Sequence, residues 1–203
     1  MGVNKVIVDG AETEVLGDDV SLKDAKWVHL EKVGGYYFPE GGNLFARYTK
    51  NTASFFELWL NHGVNPQGEK YAYVMMPSKS ADEVKAYSDN PDIEVLENTS
   101  SLQVVREKNL GITAMVFWEA GEYNGISVNE PMMVMVEEKD GRYNVSVSDP
   151  THKLTSGRIV LPKRFEVQTN DAKMNIKTTS VTTIDIDFAG SDGRTMTAEM
   201  NGL

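Results

Sequence analysis

The chain contains no cysteine in 203 residues, and that one absence excludes disulfide staples, Cys-rich zinc sites, iron–sulfur clusters and thiol nucleophiles together. Positive charge is also scarce. Twenty Lys and Arg face thirty Asp and Glu, a net charge of −10 at pH 7, with a pI near 4.8. That balance argues against a general affinity for nucleic acid or for an anionic membrane, both of which reward clustered Lys and Arg. Long hydrophobic runs are missing as well. None approaches the roughly 18 apolar residues of a membrane span, and the start from Met1 to Val6 lacks the apolar core of a signal peptide. What remains is 40% hydrophobic and 25% charged, the composition of a globular chain with room for one large domain or two small ones.

Short stretches rich in Val, Ile, Thr and aromatic residues, bounded by Gly, Asn, Asp and Pro, recur along the whole length. They predict an antiparallel all-β protein of about a dozen strands. The clearest hairpin runs from Val134 through Asp140-Gly141 to Val147, with Tyr143, Val145 and Val147 sharing one face, because Asp-Gly supplies the positive φ angles of a tight primed turn. A second opens the chain, Val6 and Val8 leading through Asp9-Gly10 to Thr13 and Val15. A third is expected near the end, where Ile184, Ile186 and Phe188 alternate with Asp185 and Asp187 before Ser191-Asp192-Gly193 turns the chain into Met196, Ala198 and Met200. One segment reads as a helix, Ser80 to Ser88, opened by a Ser80/Glu83 capping box and stopped by Asn90-Pro91. The flanking composition changes there, so a boundary is expected near Pro91. The polar stretch from Thr169 to Ser180 reads equally as a long loop or an edge strand.

A search for chemistry finds few converging groups. The three histidines, His29, His62 and His152, show no metal-ligand spacing, and no Gly-x-Ser-x-Gly nucleophile elbow occurs. His62 stands out in its Trp59 to Gly63 setting, yet a loop hydrogen bond accounts for it as well as catalysis does. Asp185, Asp187 and Asp192 carry oxygen ligands suited to calcium but not the dense Asp/Asn/Gly loop; a solvated strand face is the simpler reading. Glu137 and Glu138 cannot form a glycosidase pair, because adjacent strand residues point to opposite faces. Lys153, Arg158, Lys163 and Arg164 form a basic run without an acid, which reads as a solubilising edge or a contact for an anionic sugar. Tyr36, Tyr37, Phe38, Phe55, Phe56, Trp59, Tyr71, Tyr73 and Trp118 include candidates for a sugar-stacking platform, most of them expected in the core. Met132, Met133 and Met135 read as gap-filling packing.

Six linked motifs occur in order: Val33-Gly34-Gly35-Tyr36-Tyr37-Phe38-Pro39, Leu58 through His62-Gly63 to Pro66, Tyr71-Ala72-Tyr73 to Pro77, Pro91 to Asn98, Gln103 to Arg106, and Ile112 to Trp118. Together they resemble polysaccharide lyase family 8, the hyaluronate, chondroitin and xanthan lyases. The resemblance is strong from about Trp27 to Gly121. It implies the C-terminal part of such a lyase: residues 1–90 as the last strands of a central β super-sandwich with a connecting helix, and residues 91–203 as a small C-terminal β-sandwich domain. The family reaction is β-elimination on a uronate-containing glycan, carried by Asn, His, Tyr and Arg supplied mainly by a helical toroid that precedes the sandwich. With one short helix, this chain does not contain that toroid, so no catalytic, cofactor or metal residue is assigned to it and substrate-binding residues stay open. His62 matches a motif of the tail, not the catalytic histidine. The resemblance further implies a secreted enzyme whose partners are the polysaccharide and the toroid, without nucleic acid, membrane or cofactor; an independent carbohydrate-binding module is the alternative. Taken alone, the first half is expected to expose a large apolar patch. Two departures stand out: the segment from Arg47 to Ser54 is short and lacks the family's Arg-x-Gly-x-Trp motif, and residues 169–203 extend beyond what the domain minimally needs.

Overall fold

A computed structural model describes residues 5–15, 18–50 and 54–203. The chain divides into two compact units, Met1–Asp92 and Ile93–Leu203. Every strand pairing among the described residues is antiparallel.

The first unit contains β1 (Lys5–Val8), β2 (Ala11–Glu14), β3 (Val20–Ser21), β4 (Trp27–Leu30), β5 (Gly34–Tyr37), β6 (Leu44–Lys50), β7 (Ser54–Leu60), β8 (Val74–Pro77) and α1 (Ala81–Asp89). Five strands form one sheet in the order β2-β1-β4-β5-β8, and three form another, β3-β6-β7. The opening hairpin forms at Asp9-Gly10, with Val8 opposite Ala11. Asp9 has φ 48°, and its carboxylate accepts the amides of Lys26 at 3.0 Å and Trp27 at 2.9 Å, tying the turn to the start of β4. Between the sheets, Val6, Val28, Leu30 and Phe38 meet Leu44, Ala46 and Tyr48.

On the other face of the larger sheet, Trp27, Tyr37 and Met76 pack under the helix residue Val84. The capping box forms as expected: Glu83 donates its amide to Ser80 Oγ, and its carboxylate accepts the Ser80 amide at 2.9 Å. The Lys79 ammonium and then the Ser80 amide and hydroxyl lower the Glu83 pKa to about 2. Gly35 makes the helix seat possible, since a Cβ there would lie 2.8 Å from Val84 Cγ1 and closer still to Cγ2.

The second unit is a sandwich. A seven-stranded sheet contains β9 (Ile93–Asn98), β10 (Leu102–Glu107), β11 (Ile112–Phe117), β14 (Met132–Lys139), β15 (Arg142–Ser148), β17 (Phe165–Asn170) and β20 (Met196–Gly202), in the order β17-β20-β15-β14-β11-β10-β9. It faces a sheet ordered β12-β13-β16-β19-β18, from β12 (Gly121–Tyr123), β13 (Ile126–Val128), β16 (Ser156–Leu161), β18 (Met174–Thr178) and β19 (Thr182–Asp187). Residues of both sheets, among them Met115, Phe117, Met132, Val145, Ile159, Ile184, Phe188 and Met196, form one core. Period-two alternation puts them there, because every second side chain of each strand points inward.

Two expectations change and one open reading is decided. Twenty strands are present among the described residues rather than a dozen, since strands as short as Val20–Ser21 carry too few residues for a recognisable pattern. The alternation from Ile184 to Met200 is real, but its two arms are not a hairpin. β19 pairs with β16 and β18, whereas β20 pairs with β15 and β17, so the turn at Ser191 to Gly193 carries the chain from one sheet to the other. The stretch from Thr169 to Ser180, readable as a loop or an edge strand, holds the end of β17 and the edge strand β18, packed through Met174 and half-buried Ile176.

Asp149 anchors the loop after β15. It is 2% exposed, and its carboxylate accepts the Thr151 amide and hydroxyl and the Lys153 amide at 2.7 Å each, and the Leu154 amide at 2.8 Å. Burial pushes this carboxyl up; the hydrogen bonds from Thr151, Leu154 and Lys153 outweigh it and hold it below the ordinary carboxylate value.

Two outcomes follow from these contacts. Gly35→Ala is expected to lower the stability of the first unit by about 1–3 kcal/mol, as overpacking does, read by thermal unfolding followed by circular dichroism. Asp149→Ala is expected to cost the second unit about 1–3 kcal/mol by leaving buried amides without partners. Because the Asp149 pKa is depressed on folding, its contribution is complete above the unfolded value near ~4 and is lost as pH falls through the lower folded value. Denaturant titrations of wild type and variant should therefore converge in acid.

Candidate functional site

The histidines lie on separate elements. His29, on β4, is buried, and its Nε2–H donates to the Lys79 carbonyl at 3.1 Å, a structural bond. His152 sits in a loop at φ 56° with its ring against Gly193. His62 follows β7, with Nδ1 3.7 Å from Glu69 Oε2 and its ring 6.1 Å from that of Tyr71. Among the described residues no group of three or more His, Asp or Glu is placed to hold a metal ion.

Among the acidic and basic candidates of the second unit, one pair forms. Arg158 and Asp185 face each other across β16 and β19, with Nε donating to Oδ1 at 2.6 Å. The Lys173 ammonium lies 3.5 Å from Asp187, and Asp192 stands in the exposed turn at φ 50°. Together with Asn129 and Asn175, the paired groups line a shallow polar cleft of about 670 Å³. Lys163 does not extend a basic patch: its ammonium donates to Tyr143 Oη at 2.7 Å and lies 4.4 Å from that ring. Tyr143 Oη in turn donates to Glu138. The methionine stretch splits by alternation. Met132 is fully buried, whereas Met133 and Met135 stand on the outer face, 43% and 39% exposed, so only the first of the three packs the core. Trp118 is also exposed, and its indole N–H donates to Gln103 Oε1 at 3.0 Å.

The aromatic residues converge in the first unit, where an open groove of about 1340 Å³ has Tyr36, Phe38, Tyr48, Phe55, Phe56, Trp59, Tyr71 and Tyr73 in its walls. Along it, Val33 before β5, Tyr73 before β8 and Met75 on β8 are about half exposed or more. Tyr71 and Tyr73 lie nearly parallel, with centroids 6.2 Å apart and an interplanar angle of 20°. Trp59 is stacked on Phe45 at 5.9 Å, with the Arg47 guanidinium 5.4 Å from its ring. Arg47 is itself held by Asp19 at 2.6 Å. The aliphatic wall formed by Leu30, Leu44, Leu58 and Leu60 is not visible in the sequence as a site, because these residues alternate as ordinary core positions do.

Comparison with known proteins is consistent from end to end. Residues 2–88 match the model of the polysaccharide lyase family 8 super-sandwich domain, and residues 94–158 match that of the family's C-terminal β-sandwich domain. The xanthan lyase of Bacillus sp. (strain GL1) is 34% identical over 178 residues, covering 74% of this chain and 19% of that protein. The hyaluronate lyase of Thermasporomyces composti is 28% identical over 176 residues, 78% of this chain and 23% of its own length. Among solved structures, Paenibacillus xanthan lyase superposes over 100% of this chain and 22% of its own with a TM-score of 0.88 at 24% identity. Streptomyces coelicolor A3 chondroitin AC lyase in complex with chondroitin sulphate does so over 98% and 28%, with a TM-score of 0.76 at 24% identity. This chain thus spans about a fifth to a quarter of its relatives' length. Strands β17 to β20 complete the second sandwich beyond residue 158, and the xanthan lyase likeness includes them. The chain belongs to polysaccharide lyase family 8, within its super-sandwich and C-terminal β-sandwich domains.

Proposed function

We propose that this chain is the non-catalytic C-terminal β region of a secreted polysaccharide lyase that cleaves a uronate-containing glycan by β-elimination, and that it supports one wall of the substrate cleft. The observation that carries this reading is the match to two successive domains of one family, the second named for its C-terminal place, by a chain covering only 19% of the xanthan lyase. In β-elimination a base takes the proton α to the uronate carboxylate, the C–O bond to the leaving sugar breaks, and that oxygen is protonated as the ring double bond forms. The base and acid need side chains converging on one sugar, and His62, with only Glu69 and Tyr71 as described neighbours, does not make such a set. The net charge of −10 suits a scaffold better than a trap for a polyanion.

A second reading, an independent carbohydrate-binding module, draws on the near-parallel Tyr71 and Tyr73 rings. It is the weaker one, because few polar groups converge beside those rings to orient sugar hydroxyls.

Ultraviolet absorbance of unsaturated uronate separates the outcomes, with hyaluronan, chondroitin and xanthan as substrates and intact Bacillus xanthan lyase as control. The purified chain should give a flat trace on all three. A slope proportional to protein would overturn the scaffold reading, and glycan binding abolished by Tyr71→Ala would favour the module.

A further inference from the structure

We propose that the polar cleft of the second unit binds an anionic sugar unit of a glycan, with Arg158 and Lys173 holding its carboxylate or sulfate and Asn129, Asn175 and Asp185 its hydroxyls. This site lies outside the scaffold role proposed above and rests on it only for the choice of glycan. Strand pairing builds it. Asn175 on β18 stands opposite Asp185 on β19, and Asp185 opposite Arg158 on β16. Just after β13, Asn129 Oδ1 accepts the Arg158 amide at 2.6 Å, and the Asn129 amide donates to the Arg158 carbonyl at 3.2 Å. Residues opposite each other in a sheet share a face, so these four make one polar row across the sheet. Ser156 stands opposite Asp187, whose amide donates to the Lys173 carbonyl, and these three make a second row beside the first. Ile184 and Ile186 are buried in the core, and alternation therefore turns Asp185 and Asp187 outward.

The unused hydrogen bonds identify the ligand. Arg158 spends Nε on Asp185 at 2.6 Å, and its two Nη groups have no hydrogen-bond partner among the described residues. The Lys173 ammonium donates to the Ala189 carbonyl and lies 3.5 Å from Asp187, which leaves it donor capacity. The side-chain nitrogens of Asn129 and Asn175 likewise donate to none of the described residues. Against these donors stand only the remaining carboxylate oxygens of Asp185 and Asp187, each already beside a cation. Donors outnumber acceptors, so the complementary ligand is rich in acceptors. A carboxylate or sulfate suits the planar guanidinium, and hydroxyls, which both donate and accept, suit Asp185 and the two asparagines. Charge agrees. Arg158 and Lys173 cancel Asp185 and Asp187, and Lys177, two residues past Asn175 on the same face of β18, has no acidic partner among the described residues, so the cleft escapes the negative charge the chain carries overall. Apart from Gly157, Ala172 and Ile186 the lining is polar, which gives an apolar ligand or a hydrophobic peptide anchor no seat.

The test titrates the 203-residue chain with oligosaccharides of hyaluronan, which carry carboxylate alone, and of chondroitin sulphate, which carry both groups, following backbone amides by NMR. A neutral cello-oligosaccharide serves as comparison. The anionic oligosaccharides should shift the amides of Arg158, Asn175 and Asp187, bind about tenfold or more tightly than the neutral one, and weaken as salt rises; the tighter of the two tells carboxylate from sulfate. Arg158→Gln and Lys173→Gln should each lower the affinity about tenfold, as loss of a charge-assisted hydrogen bond does. Both variants should stay folded by circular dichroism, because exposed ion pairs add little stability. Arg158→Lys keeps the charge without the planar fork and should recover the affinity only in part. No shifts with either anionic glycan, equal affinity for the neutral one, or affinity unchanged in Arg158→Gln would each overturn the proposal. Binding lost in Tyr71→Ala would overturn it too, by placing the glycan on the aromatic rings of the first unit. The two readings fail separately: a chain that binds no glycan and releases no uronate sinks only the cleft, whereas uronate release by a chain that binds through Arg158 sinks only the scaffold role.

Discussion

A β-strand with one apolar face has to find a second layer to cover it, and both units of this protein are organised by that requirement. In the second unit it is met by a shared core. Seven strands face five, and the side chains between them, from Val104 on one sheet to Ile184 on the other, are excluded from water. In the first unit five strands share a core with three, and an open groove remains. The same rule of alternation thus produces a closed core in one half and an open apolar surface in the other.

The remaining architecture follows from how polar groups are accommodated around those layers. On the β12-β13-β16-β19-β18 sheet, Arg158 pairs with Asp185 across neighbouring strands and Lys173, in the turn before β18, with Asp187, so the face stays wet without accumulating one sign of charge. Exposed ion pairs of this kind add little stability. The Asp149 carboxylate is different in kind. It replaces water for the Thr151, Lys153 and Leu154 amides, and through them it shapes the chain between β15 and β16.

Local signals were legible wherever one residue type decides one conformation. Asp140-Gly141 and Asp9-Gly10 announced their turns, and Ser80 with Glu83 announced the helix start, because each depends on residues adjacent in sequence. The turn-bounded Val, Ile, Thr and aromatic stretches made the all-β class readable, and the family motifs made the two-sandwich organisation readable. Pairing between distant strands was not readable. Ile184 to Phe188 and Met196 to Met200 look like hairpin arms, yet alternation says only that a strand has a dry face, not which sheet it joins. For the same reason the groove was hidden: Leu58 and Leu60 alternate as core residues do, and alternation does not say that the wall they form is open.

The helix of the first unit is fastened at two independent points. Val84 rests in the space left by Gly35, and the residue before the cap, Lys79, is held at its carbonyl by His29 while its ammonium reaches Glu83 at 2.7 Å. Between Pro77, which pairs with Gly34 on β5, and Ser80 the chain therefore has a fixed distance to cover. The length of that interval is constrained. An insertion or deletion of one residue there would have to be taken up without moving Val84 off its glycine.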